Sequence, residues 1–178
     1  MIEMPEAYTL ARQMDEALSG KVFLMYEQGE LRHKFLMLNR PVEESSAILA
    51  GKTITGASSY GRSFYLHVEA EHMLWFTEIG GRFLYHPEAG PLPAKYHLRW
   101  DFTDGTALSF ALQMWGMVRM LDKSEFGERP YKEVGLPPLS ARFTLERFNK
   151  LLEEYPDKTS KGVKGFLVTS QHMNGIGN

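Results

Sequence analysis

The chain has 178 residues, 43% of them hydrophobic, with 20 Lys and Arg against 22 Asp and Glu for a net charge of −2. That length supports one good core with a smaller second domain attached, and the charge argues against a strongly basic nucleic-acid binder. There is no cysteine, hence no disulfide framework and no thiolate zinc site, and His33, His67, His72, His86, His97 and His172 have no tight metal-ligand spacing.

Apolar residues at Ala7, Leu10, Ala11, Met14 and Leu18 mark one face of a helix over Pro5 to Ser19, with Gly20 as its stop. Pro5 suits a first helical position, and Glu3 and Glu6 lie at the positive end of the helix dipole. Taken alone, the two glutamates read as acids complementing that dipole. Lys21 to Gln28 and Phe35 to Leu38 read as strands, and Pro41 to Ala50 as a short helix ended by Gly51. From Lys52 the pattern is β-rich, with candidate strands at Thr53–Ser58, Ser63–Val68, His72–Ile79, Tyr96–Thr103, Thr106–Leu112 and Trp115–Met120. Asp104-Gly105 is the best hairpin signal, whereas Gly80-Gly81 and Pro87 to Pro93 read as loops.

Residues 123–138 are polar and proline-containing and read as a linker between an N-terminal domain, 1–122, and a partial helical domain, 139–178. Thr144 is placed to cap a helix whose apolar stripe is Phe143, Leu145, Phe148, Leu151 and Leu152. A second helix is expected from Lys161 to about Ser170. Lys158, Lys161 and Lys164 make this last segment locally basic, while the first sixty residues carry more acids than bases.

Several of these segments, in this order, resemble the formamidopyrimidine-DNA glycosylase and endonuclease VIII family. Ile2-Glu3-Met4-Pro5-Glu6 is similar to that family's opening Pro-Glu-Leu-Pro-Glu, and Gly51-Lys52-Thr53-Ile54 to the start of a conserved β-ribbon. Pro138-Leu139-Ser140 precedes the first helix of the second domain. Val163-Lys164-Gly165-Phe166-Leu167 and Gly175-Ile176-Gly177-Asn178 resemble the entry to its helix-two-turn-helix.

The resemblance implies an α+β protein: an N-terminal β-sandwich with an N-terminal helix, then the beginning of a helix-two-turn-helix domain, with damaged double-stranded DNA in the cleft between them. In the family an N-terminal proline amine attacks the sugar of a flipped nucleotide, and the adjacent glutamate moves protons. Glu3 maps onto that glutamate and Ile2 onto the proline. Isoleucine supplies no secondary amine, and a bulky second residue disfavours removal of Met1, so the free amine of Met1 sits one residue early, about 3 Å away. Arg62 takes the place of a family lysine near the sugar and phosphate. Arginine grips phosphate but stays protonated and cannot be a nucleophile.

By the same resemblance Ile79 is the apolar wedge of one void-filling loop, and Gln113, Met114 and Trp115 form the other. Lys164 and Asn178 match residues that grip the backbone around the lesion. His97 and Arg99 are further candidates for the groove. The chain is expected to continue past Asn178 into a second helix and a zinc finger or its zinc-free equivalent; no cofactor is expected in this chain itself. A monomer in the bacterial cytoplasm or nucleoid, without membrane contact, is expected.

The leading functional expectation is a base-excision repair glycosylase and AP lyase-like protein with the proline nucleophile replaced. The alternatives are a non-catalytic DNA-binding relative and an unrelated β-rich small-ligand binder.

Overall fold

The computed structural model describes residues 2–88, 95–126, 136–155, 162–169, 173, 175 and 176. Helix α1, Met4–Leu18, buries Ala7, Ala11, Met14 and Leu18, the face anticipated from their spacing. Strands β1, Phe23–Gln28, and β2, Leu36–Leu38, are followed by helix α2, Val42–Leu49. Seven more strands follow: β3 (Ile54–Tyr60), β4 (Ser63–Val68), β5 (His72–Thr77), β6 (Gly81–His86), β7 (Leu98–Phe102), β8 (Ala107–Leu112) and β9 (Gly116–Asp122).

They form two sheets, ordered β1-β7-β8-β6 and β2-β9-β5-β4-β3. Successive side chains point to opposite faces of each sheet, β4, β5 and β8 being buried along almost their whole length, and the inward sets meet face to face. Phe64 and Phe76 of one sheet contact Phe83 of the other edge-on at 5.5 and 5.4 Å, and Phe76 meets Trp100 at 5.8 Å. These aromatics are the centre of the main core, and α1 packs on β3 and β4 at its flank. The expected hairpin at Asp104-Gly105 joins the antiparallel pair β7 and β8.

Tyr65, Met73, Trp75 and Leu121 point the other way from the large sheet and make a second cluster. Helix α3, Lys123–Phe126, covers it through Phe126, whose ring meets Tyr65 edge-on at 5.0 Å. The first residues of the expected linker are therefore helical, while 127–135 lie outside the described residues. Helix α4, Leu145–Glu154, is capped by Thr144, whose hydroxyl accepts the Arg147 N–H at 3.2 Å. Its buried contacts come from Leu151, with Tyr155, Phe166 and Met173.

Three expectations about elements are corrected, and one pairing is new. Gly81 opens β6 instead of lying in a loop, because a side chain there would meet the Ala111 carbonyl at 2.5 Å. Strand β6 can pair with β8 at that point only through glycine. Leu145 and Leu152 face outward, 74% and 42% exposed, so the α4 stripe is narrower than its sequence suggests. The expected second helix is a single turn, α5 (Gly162–Lys164), continued by a π-helical stretch over Gly165–Thr169. Strand β2 pairs in parallel with β9, giving a mixed sheet.

Candidate functional site at the N-terminus of α1

Four chain segments meet at the start of α1. The Ile2 N–H donates to the Ile79 carbonyl at 2.7 Å, and the Met4 N–H donates to the Gly175 carbonyl at 3.0 Å. Gly175 has φ +94°, and a Cβ there would lie 2.7 Å from the Met4 Cβ and 3.5 Å from the Gly61 carbonyl carbon. Only glycine fits that approach and that backbone conformation. The turn of Gly175, the turn of Gly61-Arg62 and the first residues of the chain are thereby fixed against one another.

Glu3 is the N-cap of α1 and forms a capping box with Glu6. Its own N–H donates to the Glu6 carboxylate at 2.8 Å. The reciprocal bonds satisfy amides that a helix start otherwise leaves unpaired. Both readings of these glutamates thus meet in one place: they complement the helix terminus, and Glu3 is held partly exposed beside residue 2.

The segment from Glu78 to Gly80 ties the terminus to the β8–β9 loop. Gly80 donates to the Trp115 carbonyl at 2.7 Å, and its own carbonyl accepts from Gln113 at 2.8 Å and Met114 at 2.9 Å. Ile79 is 2% exposed and belongs to the main core, so it does not protrude as a wedge. The reason is its position: its carbonyl holds Ile2 while its side chain continues the inward apolar set. Met114 and Trp115, in contrast, are 56% and 44% exposed at the loop tip, with Gln113 also exposed. Trp115 stacks on Phe35 with ring centroids 4.3 Å apart, and the Lys34 ammonium lies 4.6 Å from the Phe35 ring centre. This backing from Phe35 and Lys34 was missed in the sequence, because β2 meets β9 only through a long-range parallel pairing.

A cleft of about 560 Å³ opens between α1 and that loop, lined by Ile2, Glu6, Thr9, Gln13, Gln113 and Met114. Arg62 forms an ion pair with Glu78. The pairing of β4 with β5 sets Phe64 opposite Phe76, and continuing that register sets Arg62 opposite Glu78. No local signal marks Glu78 as a site residue; only the register does.

Of the two further groove candidates, His97 is buried, whereas Arg99 is partly exposed and engaged in ion pairs. His97 is 8% exposed, and its Nδ1 accepts the Leu112 N–H at 2.9 Å. Burial, together with the neighbouring His33, pushes its pKa below the ordinary histidine value. Arg99 is held by Asp101 and Glu27 on its own sheet. Lys164 is exposed on α5, while Met1 and Asn178 lie outside the described residues.

Residues 1–130 match the model of the formamidopyrimidine-DNA glycosylase N-terminal domain. The whole chain aligns at 26% identity with a formamidopyrimidine-DNA glycosylase of Bacillus cereus and at 27% with one of Halalkalibacterium halodurans. It spans 63% and 64% of their lengths. Among solved structures, 99% of the chain superposes on 64% of Lactococcus lactis Fpg bound to abasic-site DNA, with a TM-score of 0.78 at 24% identity. A Lactococcus lactis Fpg complex with FAPY-dG-containing DNA gives a TM-score of 0.77. The sandwich, the helix that carries the terminus and the turns gathered around it are those of one lineage: this chain belongs to the formamidopyrimidine-DNA glycosylase family.

Proposed function

We propose that the chain is the N-terminal part of a base-excision repair glycosylase that releases damaged bases from duplex DNA without a covalent amine step. The observation that carries this reading is the Ile2–Ile79 bond. The nitrogen that stands at the family's nucleophile position is the peptide nitrogen of a buried isoleucine, its lone pair delocalised into the preceding carbonyl, and its N–H is held by the Ile79 carbonyl 2.7 Å away. Glu3 beside it is the acid/base group. In this route the Glu3 carboxylate takes a proton from a water that attacks the sugar C1′. The C1′–N bond breaks with its electron pair leaving on the base, which takes up a proton.

The exposed Gln113-Met114-Trp115 tip suits the opened duplex, with an aromatic plane already stacked from below by Phe35. Arg62 and Lys164, and Asn178 by its match, are the phosphate contacts in this reading. The relatives' names and their abasic-site and FAPY-dG complexes support DNA with a damaged or missing base as the ligand.

A second reading, a DNA-binding relative without catalysis, is favoured by the capping box, because it commits both Glu3 and Glu6 to the helix terminus. Base release measured on duplexes carrying formamidopyrimidine lesions separates the two. Release that is lost in Glu3→Gln supports the glycosylase; salt-sensitive binding with no release supports the second reading.

A further inference from the structure

We infer that Glu78 is an internal competitor for the phosphate that Arg62 would bind, so that DNA engages Arg62 only by displacing this carboxylate. The inference rests on the DNA-binding reading above. A carboxylate matches a guanidinium as a phosphate does, through charge-assisted hydrogen bonds to its N–H groups. Glu78 supplies that match from within the chain, across the continued register of β4 and β5.

Three features make the pair displaceable. The Arg62 and Glu78 side chains are 19% and 29% exposed, so an incoming anion can reach them and the released carboxylate can be solvated. Arg62 follows Gly61, which packs against the Gly175 turn, and the pair therefore stands at the meeting point of the α1 terminus and the second helical segment. Glu78 has φ +55°, a left-handed conformation that residues other than glycine, asparagine and aspartate rarely adopt. Its Arg62 contact is made from a backbone position unfavourable for glutamate.

Glu78 also precedes Ile79 and Gly80, whose backbone groups hold Ile2 and the Gln113–Trp115 loop. Displacing the carboxylate therefore acts at the residue next to both. The pair charges DNA binding a local electrostatic cost, and duplexes that present a phosphate poorly at this point are rejected.

The test is duplex DNA affinity of the 178-residue chain across salt, for the wild type, Glu78→Gln, Arg62→Gln and the double variant. Glu78→Gln keeps the size and removes the charge. It is expected to bind roughly 3- to 10-fold tighter at low salt, with the salt slope steeper by about one phosphate contact. In the double variant the gain disappears, matching Arg62→Gln alone. Glu78→Asn, which tolerates the left-handed backbone, is expected to reproduce the gain, and thermal melts check that each variant is folded. Wild-type binding with unchanged or weaker binding by both Glu78 variants overturns the inference and makes Glu78 a positioning residue for Arg62. Absence of DNA binding by every folded variant at low salt overturns the DNA reading and the inference with it.

Discussion

In the proposed route, residue 2 and its neighbour Glu3 set the chemistry at the start of α1. Glu3 stood out in the sequence only through the family resemblance, because on local pattern alone it and Glu6 read as acids complementing the helix dipole. The Ile2–Ile79 bond was not legible there, since the two residues are brought together only by folding. Glu3→Gln is expected to lower base release by two to four orders of magnitude, the usual range for a positioned acid/base group. Its thermal stability should change little, because glutamine retains an acceptor for the Glu6 N–H. A stopped assay on lesion-bearing duplex, with a melt of the same sample, separates those effects. Gly175→Ala should destabilise the docking of the second segment by about 1–3 kcal/mol, from its φ and its 2.7 Å approach to Met4, as measured by denaturant unfolding.

At the level of elements, β-rich apolar runs bounded by turn signals placed eight of the nine strands among the described residues approximately, because each packs at least one face on the core. Strand β6 was hidden by Gly80-Gly81, a pair that marks a turn in most sequences but here permits close strand pairing. The wedge assigned to Ile79 failed for a related reason: the loop is held so tightly to Ile2 and Gly80 that its apolar residue turns inward. In the β7–β8 hairpin, Asp104 accepts from Lys21 and then from Thr106, which hold its pKa down at about 2. Because the unfolded carboxylate titrates near 3.9, this contribution is present above about pH 4 and is lost as the pH falls towards about 2. Half of Asp104 is solvated, so Asp104→Asn should cost only about 1 kcal/mol or less at neutral pH, with the difference shrinking below pH 4 in urea titrations. His97 gives the same sign at higher pH. Its depressed pKa means that the unfolded chain binds the proton first, so stability falls as pH drops below about 6.5. His97→Gln should flatten that slope in melts between about pH 7 and 5, because protonation also removes the acceptor for Leu112.

Across the whole molecule, the two sheets and α1 share one continuous core, whereas the helical segment has a small cluster of its own around Leu151, Tyr155, Phe166 and Met173. Among the described residues the two are tied at Gly175, whose carbonyl accepts the Met4 N–H at 3.0 Å and whose backbone leaves no room for a side chain. The net charge of −2 bears on affinity more than on fold. With 20 basic residues offset by 22 acidic ones, and Arg62 already paired, the chain should bind duplex weakly and lose that binding at moderate salt. The family's fold is thus retained around a second residue whose peptide N–H is held by the Ile79 carbonyl. Borohydride reduction during incubation with duplex carrying a formamidopyrimidine lesion, followed by mass analysis, tests this most directly. Release of the base without a protein–DNA adduct is the predicted result; a trapped adduct on the nitrogen of residue 1 or 2 would contradict it.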